Sequence, residues 1–186
     1  LPAIVQSVNF ENQTIEAQPV TIMKRTDDSG VVTDFTLPLL VDVPFQCYKG
    51  GGYSITVPIK AGDECLIIFT DVDYSAWFQN GGFNHAEHSF THSYSNAMAL
   101  IGFSSEVNAI PEYNPNAIEV RNADGTEKIS LSEGNIILKS ATITLDGNIT
   151  VTGSSDLQGA TTIQSKDFLQ HVHSNGNEGA NTGGVQ

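Results

Sequence analysis

Cysteine is nearly absent. The two present in 186 residues, Cys47 and Cys65, cannot form a disulfide framework, and they read as small hydrophobes of strand cores. Cations are scarce as well: eight Lys and Arg face 21 Asp and Glu, a formal net charge of −13. General nucleic-acid binding needs a basic patch, and these cations are scattered along the chain rather than clustered, so no nucleic-acid partner is expected. Hydrophobic residues make up 39% of the chain, yet no apolar run approaches the ~18 residues of a spanning helix. The opening LPAIVQSVNF lacks the charged n-region of a signal peptide, and Leu1, which is not an initiator Met, implies a processed or trimmed product. Aromatics are missing from one end only: after Tyr113, Phe168 alone remains.

What is present divides the chain. Residues 1–110 hold eight of the nine Phe, four of the five Tyr, Trp77 and both Met, enough for a compact core. Their periodicity is close to two: Ile4, Val8 and Phe10; Ile15, Val20 and Ile22; Leu37, Leu39, Val41 and Val43. Turn clusters lie at Asp27–Gly30 and Gly50–Gly52, and Lys60–Asp63 reads as a turn feeding a buried strand from Glu64 to Phe69. Asn96–Phe103 reads as a further strand, and Asp71–Ser95 is the least regular stretch. This strand count predicts an all-β fold opening with a five-stranded barrel of the oligonucleotide/oligosaccharide-binding (OB-fold) type over 1–110.

Residues 111–116, with Pro111 and Pro115, read as a linker. Beyond it, over 117–165, aliphatic pairs two apart recur: Ile118/Val120, Ile129/Leu131, Ile136/Leu138, Ile143/Leu145 and Ile149/Val151, punctuated by Gly and Asn. Ordering one residue's backbone costs about 1–2 kcal/mol, whereas burying one aliphatic side chain returns about 1.5–3 kcal/mol. With aliphatics this sparse, one chain cannot hold the segment up alone. It is expected to bury its apolar face against other copies, as a trimeric β-helix shaft wound around one axis with no open sheet edge. A flexible Gly/Ser-rich tail is the alternative, but disorder does not require aliphatics to keep a period of two.

In the last segment, 166–186, His171 and His173 are separated by one residue, so on a strand both imidazoles share a face. Two imidazoles from each of three chains supply six nitrogens, the number an octahedral ion takes and more than a tetrahedral zinc site accepts. The expected ligand is one iron ion per trimer, with nickel or cobalt as chemical competitors. A rival set, His85, His88 and His92, has helical spacing that could make a zinc site with Glu87 or Asp71, but its position between strands reads as a surface loop. No carboxylate pair, including Asp71/Asp73, comes with a nucleophile and base, and Gly50–Gly52 lacks the Lys-Ser/Thr of a phosphate loop. No enzyme activity is expected.

The G-G-x-S-I-T-V-P-I-x-x-G-D-E strand turn at Gly51–Glu64, the Gly/Asn-punctuated β-segment, and the ending H-V-H before N-G-N-E-G-A-N-T-G-G-V-Q together resemble the central spike proteins of contractile-tailed bacteriophage baseplates. That resemblance implies a homotrimer in the virion, made in the host cytoplasm and mounted at the tail baseplate tip through an N-terminal OB-fold on hub and tail-tube proteins. It also implies a tapered β-helix whose tip histidines, matching His171 and His173, hold one iron, and a mechanical role in piercing the host outer membrane on sheath contraction. Related spikes serve type VI secretion systems and contractile bacteriocins. Here the shaft is short and no lysozyme-like insertion is present. Three copies at −13 each carry −39 formal charges, which fits passage through anionic lipopolysaccharide without adhesion. The competing expectation is a trimeric receptor-binding fibre or adhesin that stacks glycans on Tyr74, Trp77, Phe78, Phe83 and Phe90.

Overall fold

The computed structural model describes residues 1–158, 161–163 and 166–167, and these are predominantly β. The chain divides into two compact units, with the boundary between Tyr113 and Asn114.

Five strands of the first unit form one antiparallel sheet: β1 (Pro2–Asn9), β2 (Thr14–Pro19), β5 (Leu40–Pro44), β8 (Glu64–Phe69) and β9 (Ala97–Ile101), in the order β5-β2-β1-β8-β9. Its two outer strands meet. Phe45, just past β5, makes a parallel bridge to Ala99 of β9, and the Gln46 N–H donates to the Ala99 carbonyl at 2.9 Å. The sheet therefore curls back on itself around a core that includes Ala3, Val5, Ile15, Ala17, Leu40, Val43, Cys65, Ile67, Ala97 and Ala99.

That core differs from the one the sequence pattern predicts. In β1 the inward positions are Ala3 and Val5, while Ile4, on the opposite side of the strand, is only half-buried. A register shift between Val5 and Ser7 then brings Val8 against the core. On β5 the expected alternation Leu37, Leu39, Val41, Val43 breaks as well. The structure buries Leu37, Leu40 and Val43 and turns Leu39 and Val41 outward. The pairing shifts between Ile15 and Ala17 opposite Val43 and Leu40, and Asp42 sits in the left-handed region at φ 52°, which the short polar Asp tolerates better than a β-branched residue. Cys47 and Cys65 are free thiols. Cys65 is buried in β8, and burial pushes its thiol up to about 11, whereas Cys47 is half-buried outside any strand.

Two hairpins project from this sheet, β3 (Ile22–Thr26) with β4 (Val32–Thr36), and β6 (Tyr48–Gly50) with β7 (Tyr53–Ile55). Between β8 and β9 runs an irregular loop containing the short helix α1 (Ser75–Asn80). The Tyr74 hydroxyl anchors it by donating to the Ala97 carbonyl, and burial followed by the Asp73 charge pushes that phenol up to about 12.

In the second unit β10 (Ile118–Arg121), β11 (Lys128–Ser132) and β12 (Asn135–Lys139) form an antiparallel meander. The chain reverses at Gly125 and at Gly134, both with positive φ, and at Gly125 an added Cβ would meet the Arg121 guanidinium at 2.9 Å. A minimal pair, β13 (Thr162–Ile163) and β14 (Lys166–Asp167), follows. Ile143–Leu145 and Ile149–Val151, expected as strands, form none within this single chain. Among the described residues no strand pairs with them.

Candidate functional site

The register of the three-stranded sheet decides what its two faces carry. Ile118, Leu131 and Ile136 lie opposite one another across the strands, and so do Val120, Ile129 and Leu138. Alternation places all six on one face, and each remains 46–73% exposed. The other face holds Glu119, Arg121, Lys128 and Ser130. There Lys128 donates to the Glu119 carboxylate at 2.7 Å, and Arg121 lies 3.6 Å from its second oxygen. The Glu119 side chain is only 7% exposed, and the Lys128 hydrogen bond is the main cause that lowers its pKa. This sheet is thus inverted relative to a self-sufficient monomer: Glu119, Arg121 and Lys128 are largely covered and paired with one another, while the six aliphatics face water. Ile143, Leu145, Ile149 and Val151 extend the exposed aliphatic set along the chain. Contiguous apolar surface of this kind marks an interaction site.

In the first unit the loop after β8 is organised by Asp73. Its carboxylate accepts from the Ser75 N–H at 2.9 Å, the His88 N–H at 3.0 Å and His88 Nδ1 at 2.9 Å. The Ser75 backbone contact, then the His88 ring, hold the Asp73 carboxyl well below the usual carboxylate range. His88 also stacks on Phe90, with ring centroids 5.5 Å apart. His92 Nε2 lies 3.0 Å from Asp71 in an exposed pair. The three loop histidines do not converge, and among the described residues no group of three or more His, Cys, Asp and Glu is placed to hold a metal. Sequence reasoning missed the Asp73–His88 clasp, although Asp73 two residues before Ser75 at a helix start is the pattern of an Asx turn. His171 and His173 lie outside the described residues.

We expect Asp73→Ala to free this loop: amide hydrogen exchange at His88 should quicken roughly tenfold, with Ile67 in β8 unchanged. Equal protection in the variant would show that other contacts hold it. Because the folded Asp73 pKa is depressed, its stabilisation is fully present above the ordinary carboxylate value of about 3.9 and is lost only as pH falls through the folded value. Protection at His88 should therefore persist at pH 4.

Against this geometry, residues 1–102 match the family model described as the phage protein Gp138 N-terminal domain. The chain belongs to that family. No curated protein matches it. The matched span of this Gp138 N-terminal domain takes in every strand of the curled sheet, the two hairpins and the Asp73 loop, and it stops at Gly102, one residue past β9. Membership makes this a phage protein, which bears out the resemblance drawn from the sequence at that level. The inverted β10–β12 sheet lies wholly outside the matched span.

Proposed function

We propose that this phage protein is the central spike of a contractile baseplate, a homotrimer that pierces the host outer membrane mechanically and catalyses no reaction. The observation that carries the reading is the inverted sheet of the second unit. Six in-register aliphatics face water on a chain whose charged face is already paired. Three copies packed around one axis would bury that strip and give Ile143–Leu145 and Ile149–Val151 neighbouring strands, building the short β-helix shaft.

The first unit supports the mounting role. Strand order β5-β2-β1-β8-β9, with parallel closure between the end of β5 and β9, fits a five-stranded OB-type barrel, the module that would seat on hub and tail-tube proteins. At the far end, His171 and His173 from three chains would hold one iron. Their chemistry fits it, since six neutral imidazoles suit an octahedral divalent ion. The ion would supply cross-linking and no reactivity, keeping three chain ends from separating under load.

The test is assembly and metal content of untagged protein. Sedimentation equilibrium at micromolar concentration should give three times the 19.9 kDa protomer, and elemental analysis should give about one third of an iron per chain. His171→Ala/His173→Ala should abolish the metal while leaving the trimer, and wild-type metal should be released as pH falls through about 6.5, where free imidazole protonates. A monomer at micromolar concentration would overturn the spike reading, and a metal-free trimer would overturn the tip site.

The second reading, a trimeric glycan-binding fibre, is favoured by Trp77, Phe83 and Phe90, all exposed on the Asp73 loop. Binding on a glycan array that is lost with Trp77→Ala would select it over the spike.

A further inference from the structure

The β3–β4 arm has no second layer, and all ten of its strand residues are exposed. A lone two-stranded hairpin is marginal in water, so an arm of this form needs a surface to lie on. Its register places Met23 opposite Phe35 and Arg25 opposite Thr33, so one face carries two large apolar groups beside a guanidinium.

A matching surface exists on the same unit. A groove of about 810 Å³ runs along β5 and α1, lined among others by Leu39, Val41, Asp42, Tyr74 and Phe78. The bulge in β5 creates it, by turning Leu39 and Val41 outward beside Asp42 at φ 52°. Leu39, Val41 and Phe78 suit the arm's apolar pair, and Asp42, the one carboxylate of the lining, suits its guanidinium. Neither Arg25 nor Asp42 has an ion-pair partner among the described residues.

We propose that in the assembled trimer the β3–β4 arm of each copy lies in the β5–α1 groove of a neighbouring copy, with Met23 and Phe35 on Leu39, Val41 and Phe78 and with Arg25 against Asp42. The occupant is a second copy because charge requires a cation at the contact. Copies at −13 each repel, and Arg25, on the same face as Met23 and Phe35, is one of only four Lys and Arg in residues 1–113. The contact would also close the barrels into a ring, through an interface separate from the β10–β12 strip.

This inference rests on the trimer reading, and one experiment separates them. Arg25→Cys/Asp42→Cys is made in a Cys47→Ser background, its mass is measured, and it is then oxidised and run on a non-reducing denaturing gel. The expected result is a trimer in solution that becomes covalent dimers and trimers on oxidation, with neither single cysteine variant cross-linking. A trimer whose thiols stay free would leave the groove to another protein of the particle and overturn the arm contact alone. An intramolecular disulfide, seen as an unshifted band with the thiols consumed, would assign the groove to the chain's own arm and likewise overturn it. Monomeric wild-type protein would overturn both the arm contact and the trimer.

Discussion

Ile136→Asp is expected to turn the trimer into monomers without unfolding the first unit. In the single chain Ile136 is 69% exposed, and substitution at such a site ordinarily moves stability by no more than about 0.5 kcal/mol. On a shared axis the balance is different. Each copy would lose the roughly 1.5–3 kcal/mol gained by burying the isoleucine, and each would bring an unpaired carboxylate into an apolar strip, where desolvation costs several kcal/mol more. Three-fold symmetry applies both losses three times at one level of the shaft. Sedimentation equilibrium at micromolar concentration should show only protomers, while far-ultraviolet circular dichroism keeps the β signature of the first unit. A trimer of undiminished stability would mean that this face is not the one the copies share. Glu133→Ala, in the turn before β12, provides the control and should leave the mass unchanged.

The second large effect belongs to the barrel. Ile67 on β8, between β1 and β9, is among the largest fully buried side chains of the chain. Ile67→Ala would leave a cavity in the core that it shares with Ile15, Val5 and Leu40, at a cost of about 2–5 kcal/mol. Against the roughly 5–15 kcal/mol total stability of a small domain, that lowers the melting temperature of the first unit by at least ~10 °C. Ile22→Ala on the arm, where the side chain is 62% exposed, should move that transition far less. Comparable shifts for the two variants would contradict the placement of the core.

Much of this was legible in the residues, and particular elements show why. Strands at Glu64–Phe69 and Ala97–Ile101 follow from apolar runs bounded by turn residues, and the turn at Lys60–Asp63 from Gly62, whose φ of 95° suits glycine. The pairs Ile118/Val120, Ile129/Leu131 and Ile136/Leu138 mark three strands by period alone, and they are the strands observed. Less legible was which residues fill the barrel. Alternation tells that Ala3 and Val5 oppose Ile4 but not which set points inward, and hydrophobicity favours the wrong one. A bulge such as that at Asp42 shifts the pattern by one residue, and no local residue announces it as Gly announces a turn. The Asp73–His88 clasp joins residues fifteen apart through an irregular loop, where no period exists to relate them.

Composition and period alone set the class of the protein: strands rather than helices, an aromatic-rich half and an aliphatic-striped half, and a strongly acidic net charge. These are properties of composition and period, and they survive any arrangement in space. Only tertiary structure decided the direction in which each stripe faces. In the first unit strand pairing put Ala3 and Val5 inward in place of Ile4, and the extra residue in β5 moved the inward set from Leu39 and Val41 to Leu40 and Val43, a choice that hydrophobicity alone does not make. In the second, Glu119 and Lys128 pair on one side and six aliphatics stand in water on the other, because register fixes which residues share a face.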